Sequence, residues 1–415
     1  MISMKTIYQF SFYILIYVVF IVGGMLQFFI GIPNTIMTLG LSALMMINYI
    51  IYVVVKKKVV FNKVILWVFF YLLIIFLSGL INKTHIVNLS VYFIFPLLPL
   101  SMYLFFFINK KEHYIKQKTI YKLIFHIGLI QLPILLIQRN LFDVLIFFNN
   151  SGQRIASVDF LFGSFLLKSD HSLGCFLVFI TLSLLFNINN IRRYINYPLM
   201  FAIYISITLL LSESNISKAI LILVWVVYFV NKVYVGLRSD KLTKKLLIYS
   251  ILSIIVVVGY NIRNIELITS KVGGTFEKHF TVKKSERFFE LGTAKREQIV
   301  ITAIHSLDTK YFGDGPYSYF DIKTGKFKNT IHFSQIIWTY FDLGIIGLII
   351  VMIFAFYIIK STVTANNKKV LVSIMLLYYI YMFYTTPFSE IGILSNLFLF
   401  FNIRTSNEHN SNTIS

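Results

Sequence analysis

Long apolar segments, separated by short polar ones, follow one another along most of this 415-residue chain. An α-helix needs about 20 apolar residues to cross the hydrocarbon core of a bilayer. Cutting the chain at clusters of charge, Asn, Gly and Pro leaves twelve segments near this length, the last of them short. They lie near residues 7–30, 34–55, 62–81, 89–108, 119–137, 160–187, 195–212, 217–236, 246–261, 333–360, 370–387 and 390–403. The sequence therefore predicts an all-α polytopic membrane protein with about twelve transmembrane helices.

The composition excludes an ordinary soluble enzyme. Hydrophobic residues make up 57% of the chain and charged residues only 13%, about half the charged fraction of an average globular protein. A formal charge of +21 would suggest nucleic acid in a soluble domain. In a bilayer protein, Lys and Arg instead fix the orientation and meet anionic lipid, so we expect the lipid bilayer and no nucleic acid as partner. The one cysteine, Cys175, excludes an intramolecular disulfide and a cysteine-based metal cage.

The distribution of basic residues predicts the topology. With the N-terminus in the cytoplasm, twelve spans place 21 of the 38 basic residues inside and 5 in the short outer segments, in agreement with the positive-inside rule. Residues 1–261 then hold helices one to nine, 262–331 form a large extracytoplasmic loop, and 332–403 hold helices ten to twelve. Residues 404–415 are expected to be a disordered cytoplasmic tail.

The long segment 262–331 is the one sizeable extramembrane element that the sequence predicts. It carries 12 basic and 8 acidic side chains and no apolar run long enough to span. Within it, the apolar spacing of residues 286–304 indicates a helix, and Gly313-Asp314-Gly315-Pro316 indicates a turn. We expect an extracytoplasmic loop that contains helical segments.

Motifs of soluble enzymes are absent from the sequence. There is no Walker loop, no HExxH, no GxSxG and no DxD pair that would hold a metal for a nucleotide-sugar donor. No internal or inverted repeat of the transporter kind is visible. The sequence therefore predicts no metal site and no cofactor.

Ionisable residues near the outer ends of the predicted spans are the candidate site, because charge within a span is costly and indicates function. They are Arg154, Lys168, Asp170, His171, Glu213, Lys218, Arg296 and His332. Lys168, Asp170 and His171 place charge in the first half of the sixth segment, so its helix is expected to begin near residue 172. Taken singly, these side chains are also explained by snorkelling or by contact with lipid headgroups. As a set facing one compartment, they favour a cationic site for a phosphate-bearing lipid.

Local patterns in the chain add to this interpretation. The long loop carries an arginine on a predicted helix, a Gly-x-Gly turn, and a histidine that enters the next span, which continues with an acidic residue and Gly-Ile-Ile-Gly. Earlier, an arginine precedes a Gly and a Phe, and a Ser-Lys pair opens a span. These patterns are Arg296, Gly313-Asp314-Gly315, His332, Asp342-Leu343-Gly344-Ile345-Ile346-Gly347, Arg154 before Gly163 and Phe165, and Ser217-Lys218.

This combination resembles the O-antigen and capsular polysaccharide polymerases and the related O-antigen ligases. The match covers about a quarter of the chain. Lys218 stands where the family has an arginine, which keeps the charge but loses the bidentate geometry. Phe333 stands where a polar residue, often Asn, usually follows the histidine.

The resemblance implies a metal-independent glycosyltransferase in a bacterial plasma (inner) membrane, with both termini cytoplasmic. Such an enzyme transfers a glycan chain from undecaprenyl diphosphate onto a new lipid-linked repeat unit. It implies His332 and Arg296 as catalytic residues and Arg154, Lys218 and Arg296 as diphosphate ligands. Lys168, His171, Glu213 and Asp342 are expected to support the site, Asp342 through a buried partner. A chain-length regulator protein is a candidate partner.

Two rival functions remain open at this stage. A ligase of the same superfamily would move finished glycan to a lipid core, and nothing in the sequence distinguishes the two acceptors. A polysaccharide flippase or secondary transporter would also have many spans and cationic outer residues. The long external loop and the lack of repeat symmetry favour the polymerase over a transporter.

Overall fold

The computed structural model describes residues 3–153, 155, 157, 160–167, 170–237, 311–318, 320–321, 326–327, 333–363 and 368–401. The chain divides into two compact units, Met1–Ile222 with Thr309–Ser415, and Leu223–Asp308. The predicted span 246–261, the predicted helix 286–304 and the tail 404–415 lie outside the described residues.

The described residues form a helical membrane protein. The principal helices are α1 (Met4–Ile30), α2 (Asn34–Lys56), α3 (Lys63–Ile81), α4 (Ile86–Glu112), α5 (Gln117–Asn140), α6 (Asp170–Leu185), α7 (Pro198–Leu211), α8 (Asn215–Leu237), α9 (Gln335–Thr362), α10 (Lys368–Tyr384) and α11 (Ile391–Phe401). Two strands of two residues each, β1 (Phe320–Asp321) and β2 (Lys326–Phe327), pair antiparallel, with Phe320 opposite Phe327.

Seven of the described helices are long and apolar enough to cross a membrane: α1 to α5, α8 and α9. An eighth is obtained if α6 counts together with the 3-10 helix Ile188–Tyr194, which follows it at an angle of 81°. The remaining apolar helices α7, α10 and α11 are shorter. The predicted helical membrane class is confirmed, whereas the full set of twelve spans stays a prediction.

Polar side chains fix where several helices begin. Asn62 caps α3, where its Oδ1 accepts hydrogen bonds from the backbone amides of Val64 at 3.0 Å and Ile65 at 3.3 Å. The Ser334 hydroxyl accepts in the same way from Ile337 at the start of α9. Such caps satisfy amides that have no partner within the helix, so these helix starts are determined locally.

Within the apolar segment 160–187, the helix is expected to begin near residue 172, and it begins two residues earlier. Helix α6 begins at Asp170, and residues 160–167 form a non-helical segment whose side chains are mostly buried. Gly163 in this segment has φ +65°, a left-handed conformation that favours glycine. The segment packs against α1 and α5, two of the helices able to span a membrane.

Three buried glutamines supply the hydrogen bonds that this segment cannot make to itself. Gln138 donates to the carbonyl of Gly163 at 2.8 Å and accepts from its amide at 2.9 Å. Gln131 Oε1 accepts from the amide of Ser164 at 3.0 Å, and Gln27 Oε1 accepts from that of Leu167 at 2.9 Å. In an apolar bundle an unpaired backbone group destabilises the fold by several kcal/mol. These glutamines therefore make a non-helical segment possible here.

Helix α1 is adapted to the same segment. It contains two π-helical turns, Val18–Val22 and Leu26–Ile30, and π-turns free a backbone carbonyl from the regular ladder. The carbonyl of Phe20 accepts a hydrogen bond from the Ser164 hydroxyl. A Cβ on Gly24 would lie 2.1 Å from the carbonyl oxygen of Phe165, so glycine is needed where the segment touches α1.

The turns between helices fall into two groups that are each joined by hydrogen bonds. The hydroxyl-rich end comprises residues 170–172, 212–218, 333–335 and 381–390, which interact through contacts such as Gln335 N to Thr385 O at 2.9 Å. The lysine-rich end comprises residues 56–63, 108–122, 186–198 and 358–363. Its links include Gln117 to Asn189 at 3.0 Å and Lys110 to Ser361 at 2.8 Å. The two ends therefore differ in chemistry as well as in position.

We expect Gln138→Leu to lower the free energy of unfolding by about 2 kcal/mol, because it leaves the amide and carbonyl of Gly163 unpaired in an apolar environment. The neighbouring substitution Ile137→Leu is the control, since Ile137 is exposed on the same helix. Denaturant unfolding of the purified protein in detergent measures both. Equal midpoints for the two variants would show that Gln138 does not hold the segment.

Candidate active site

A chain of hydrogen-bonded hydroxyl groups runs inward from His171 at the hydroxyl-rich end. The ring nitrogen Nδ1 of His171 lies 3.1 Å from Ser214 Oγ, and Ser214 Oγ lies 2.8 Å from Ser217 Oγ. Ser217 Oγ in turn lies 2.9 Å from the hydroxyl of Tyr381. Ser214, Ser217 and Tyr381 are buried, while His171 is half-buried. This series of hydrogen bonds thus links a partly accessible imidazole to the interior.

Small residues bring the helices that carry these groups close together. A Cβ on Gly174 of α6 would lie 2.2 Å from Ser217 Oγ of α8. A Cβ on Gly392 of α11 would lie 2.6 Å from Ser172 Oγ. Small side chains are the usual means of close helix approach in membranes. The short distances between the hydroxyl groups therefore depend on these glycines.

Glu390 lies at the start of α11 and ties three helices together. Its carboxylate accepts hydrogen bonds from the hydroxyls of Ser172, at 3.2 Å, and Thr385. The carbonyl of Thr385 accepts from the amide of Gln335 at the start of α9. We call the group His171, Ser172, Ser214, Ser217, Tyr381, Thr385 and Glu390 the hydroxyl cluster. It combines an imidazole and a carboxylate with hydroxyl donors.

Lys218 adds a cation next to this cluster. It occupies the first turn of α8, directly after Ser217, and its side chain is half-buried. Its backbone amide donates to the carbonyl of Ser214 at 3.1 Å, and the carboxylate of Glu213 attracts its ammonium group. A half-buried lysine beside hydroxyl donors can bind a phosphate through charge and hydrogen bonds together.

The structure brings together three of the predicted site residues, His171, Glu213 and Lys218, at the hydroxyl-rich end. Four others, Arg154, Lys168, Arg296 and His332, lie outside the described residues. The described chain resumes at Phe333, immediately before Ser334 and Gln335, which contact Met382 and Thr385. The part of α9 that follows His332 in sequence thus adjoins the hydroxyl cluster.

Asp342 lies in a separate buried network. Its carboxylate accepts from Trp338 Nε1 at 2.6 Å, from the amide of Tyr317 at 3.2 Å and from the hydroxyl of Ser318 at 3.1 Å. The carboxylate is thus satisfied by donors from α9 and from residues 311–318. This position suits the supporting role predicted for Asp342, because its carboxylate holds residues 311–318 against α9.

The loop formed by residues 311–318 is inserted into a break in α9. Gly344 has φ +67° and ψ −167°, which interrupts the helix. The carbonyls of Phe341 and Asp342 accept instead from the amides of Asp314, at 2.9 Å, and Gly315, at 3.1 Å. Ser78 of α3 also donates to Asp342 O at 3.0 Å. The predicted turn at residues 313–316 is therefore present, and it fills the broken helix.

Sequence reasoning missed Glu390, Thr385 and Tyr381. Glu390 could have been found, because it is an ionisable residue between two adjacent apolar segments. Tyr381 and Thr385 carry no such signal in a chain with 26 tyrosines. Tyr381 joins the site through its contact with Ser217 of α8, and Thr385 through Gln335 and Glu390. A sequence pattern does not specify these contacts.

The chemistry of the described site is that of charge and hydrogen bonding. Among the described residues, no group of three or more His, Cys, Asp or Glu could hold a metal ion. No protein family, curated protein or solved structure matches the chain. The functional interpretation therefore rests on the residues themselves.

We expect Gly313→Ala to release residues 311–318 from α9. A Cβ there would lie 2.4 Å from Phe341 O, and the residue has φ +68°. Gly152→Ala is a matched control, because Gly152 has φ +69° with nothing within 4 Å of the added Cβ. The control should lower the free energy of unfolding by about 1 kcal/mol through backbone strain alone. Gly313→Ala should lower it clearly more.

Hydrogen exchange of the amides of Asp314 and Gly315 measures the release directly. These amides should exchange faster in Gly313→Ala and keep the wild-type rate in Gly152→Ala. Unchanged protection in Gly313→Ala would contradict the insertion of the loop into α9.

Proposed function

We propose that this chain is a polysaccharide polymerase, which transfers a polyprenyl-diphosphate-linked glycan onto a new lipid-linked repeat unit at the outer face of a bacterial plasma membrane. The observation that carries the proposal is the meeting of Lys218, His171 and the buried hydroxyl chain at one end of a membrane helix bundle. A substrate with a diphosphate, sugar hydroxyls and a lipid tail offers the groups that such a site would recognise.

The proposed reaction breaks the bond between the anomeric carbon of the growing glycan and its diphosphate oxygen. A hydroxyl of the incoming repeat unit attacks that carbon and loses its proton to a base. The electron pair of the broken bond leaves with the diphosphate, whose negative charge increases. Fixed cations and hydrogen-bond donors stabilise such developing charge, and the energy comes from the lipid-linked donor, so no nucleotide is needed.

Lys218 is the cation that we assign to the departing diphosphate, with Arg154 and Arg296 as further predicted ligands. Ser214 orients the ring of His171 through its contact with Nδ1. His332 remains the proposed base, because imidazole is available as a base near neutral pH. Glu213, Lys168 and Asp342 would support these groups.

The chain offers one further support for this assignment. Ser217-Lys218 places the cation directly after a hydroxyl of the buried chain, and Gly174 permits the contact. The same loop geometry that orients His171 therefore sets the position of Lys218.

We further propose twelve spans, with the hydroxyl-rich end outside the cell and the lysine-rich end in the cytoplasm, as the positive-inside rule favours. We expect a cysteine at position 151 to be labelled by a membrane-impermeant maleimide in intact cells. A cysteine at position 57 should be labelled only after permeabilisation. The Cys175→Ser background suits the test, because Cys175 is buried and the sequence has no second cysteine.

The opposite labelling pattern would invert the topology and place the hydroxyl cluster in the cytoplasm. Equal labelling at both positions in intact cells would contradict a separation of the two ends by a membrane.

A secondary transporter is the second candidate, because the break in α9 at Gly344 is a feature of transporter helices, which bind substrates at such interruptions. In transporters the freed helix ends face the substrate. Here the freed carbonyls of Phe341 and Asp342 are occupied by the amides of Asp314 and Gly315. The break thus holds the chain's own loop, which favours the polymerase.

Purified protein incubated with lipid-diphosphate-linked repeat units, without nucleotide, should form a ladder of products on a gel. We expect Lys218→Gln to slow ladder formation about 100-fold, the typical effect of removing one group that stabilises developing charge. Lys218→Arg should retain most of the activity, because it keeps the cation. A ligase would need a lipid-core acceptor and give no ladder from repeat units alone.

Lys118→Gln is the control for a change of charge, since Lys118 is an exposed lysine of the opposite end. It should leave the ladder unchanged. The proposal fails if the wild type forms no ladder. The site assignment fails if Lys218→Gln, Arg296→Ala and His332→Ala all leave the ladder intact.

A further inference from the structure

Two lysines border an aromatic surface between α3 and α9 at the lysine-rich end. Lys63 Nζ lies 5.6 Å from the centroid of the Tyr357 ring, and Lys360 Nζ lies 5.6 Å from that of Phe356. The Tyr357 ring also stacks on Trp67, with 6.2 Å between centroids and 15° between planes. The rings of Phe356 and Tyr357 are also in contact, with 5.3 Å between their centroids. The two ammonium groups therefore flank one aromatic surface.

The local charge around this surface is strongly positive. Lys63 is the first residue of α3, where the helix dipole adds positive potential. Lys110 Nζ donates to Ser361 O at 2.8 Å, which offsets the negative potential of the C-terminal end of α9. In the described residues of the lysine-rich end, Glu112 is the only acidic side chain, and it pairs with Lys56 at 3.1 Å. Among the described residues, neither Lys63 nor Lys360 forms an ion pair with a carboxylate.

An apolar surface continues from the lysines along the same two helices. On α3, Leu66, Phe69 and Leu73 are 39%, 60% and 40% exposed. On α9, Ile345 and Ile349 are 38% and 52% exposed. Both helices are long and apolar enough to span a membrane, so this surface faces acyl chains. The half-buried rings of Trp67 and Tyr357 lie between the charged and the apolar parts, as is typical of membrane interfaces.

We propose that Lys63, Lys360, Trp67 and Tyr357 form a binding site for the headgroup of an anionic phospholipid, whose acyl chains lie along α3 and α9. A molecule with a negative head joined to an apolar tail matches both parts of the surface. Neither a soluble anion nor a soluble protein segment would use the apolar part. Basic sites between transmembrane helices are known to bind such headgroups. The site is independent of the proposed polysaccharide chemistry, which we place at the opposite end.

The test uses the full-length protein in nanodiscs of phosphatidylcholine with a minor fraction of phosphatidylglycerol. Native mass spectrometry after release gives the ratio of the two lipids that remain bound. The wild type should retain phosphatidylglycerol in preference. The double variant Lys63→Gln with Lys360→Gln should reduce this preference about 30-fold.

The matched control is Lys57→Gln with Lys58→Gln. These two exposed lysines belong to the same end of the bundle, and no ring contact is recorded for them among the described residues. The control should change the preference only slightly. Equal losses in both double variants would overturn the site, because the effect would then be one of general surface charge. Retained preference in the Lys63 and Lys360 variant would also overturn it.

A second measurement does not depend on the lysine variants folding. Trp67 fluorescence, obtained as the difference between the wild type and Trp67→Phe, should be quenched more by phosphatidylglycerol with brominated acyl chains than by brominated phosphatidylcholine. Equal quenching by the two lipids would contradict selective binding at this surface. Loss of the ladder activity without a change in quenching would concern the proposed enzyme function only.

Discussion

In an apolar bundle, every backbone amide and carbonyl that leaves a helix must find a partner within the protein. Two irregular regions of the fold meet this requirement in different ways. The non-helical segment 160–167 is held by the side chains of Gln27, Gln131 and Gln138. The break at Gly344 is filled by the backbone of residues 311–318. Both irregular regions are therefore fully integrated parts of the fold.

These two irregular regions also determine where the candidate site lies. The segment 160–167 leads into α6, whose first turn carries His171 and Ser172. The hydrogen bonds of Asp342 anchor residues 311–318, which precede α9 in the sequence. The first residue of α9, Gln335, contacts Thr385. Gly174 and Gly392 then let α6 approach α8 and α11 closely enough for hydroxyl contacts. The hydroxyl cluster is thus a consequence of how irregular backbone is accommodated near one end of the bundle.

The two ends of the bundle carry different polar chemistry. Buried hydroxyls, an imidazole and a half-buried lysine meet at one end, where the surroundings are partly desolvated and electrostatic interactions are strong. Exposed lysines and aromatic rings occupy the other end, which suits contact with lipid headgroups. The proposed glycan chemistry and the proposed lipid site follow from this difference.

The sequence by itself determined the helical membrane class, because segments of about 20 apolar residues leave few alternatives in a bilayer. It also indicated Lys218, His171 and Asp342, since ionisable residues next to apolar runs stand out by type. Only the tertiary structure decided how the segment before α6 is held in place and that Asp342 belongs to a buried network apart from His171. It also decided that Tyr381 and Glu390 join the cluster. The physical reason is that these features depend on hydrogen bonds between residues far apart in the sequence, such as Ser318 with Asp342 at a separation of 24 and Ser172 with Glu390 at a separation of 218. Local hydropathy carries no information about such pairs.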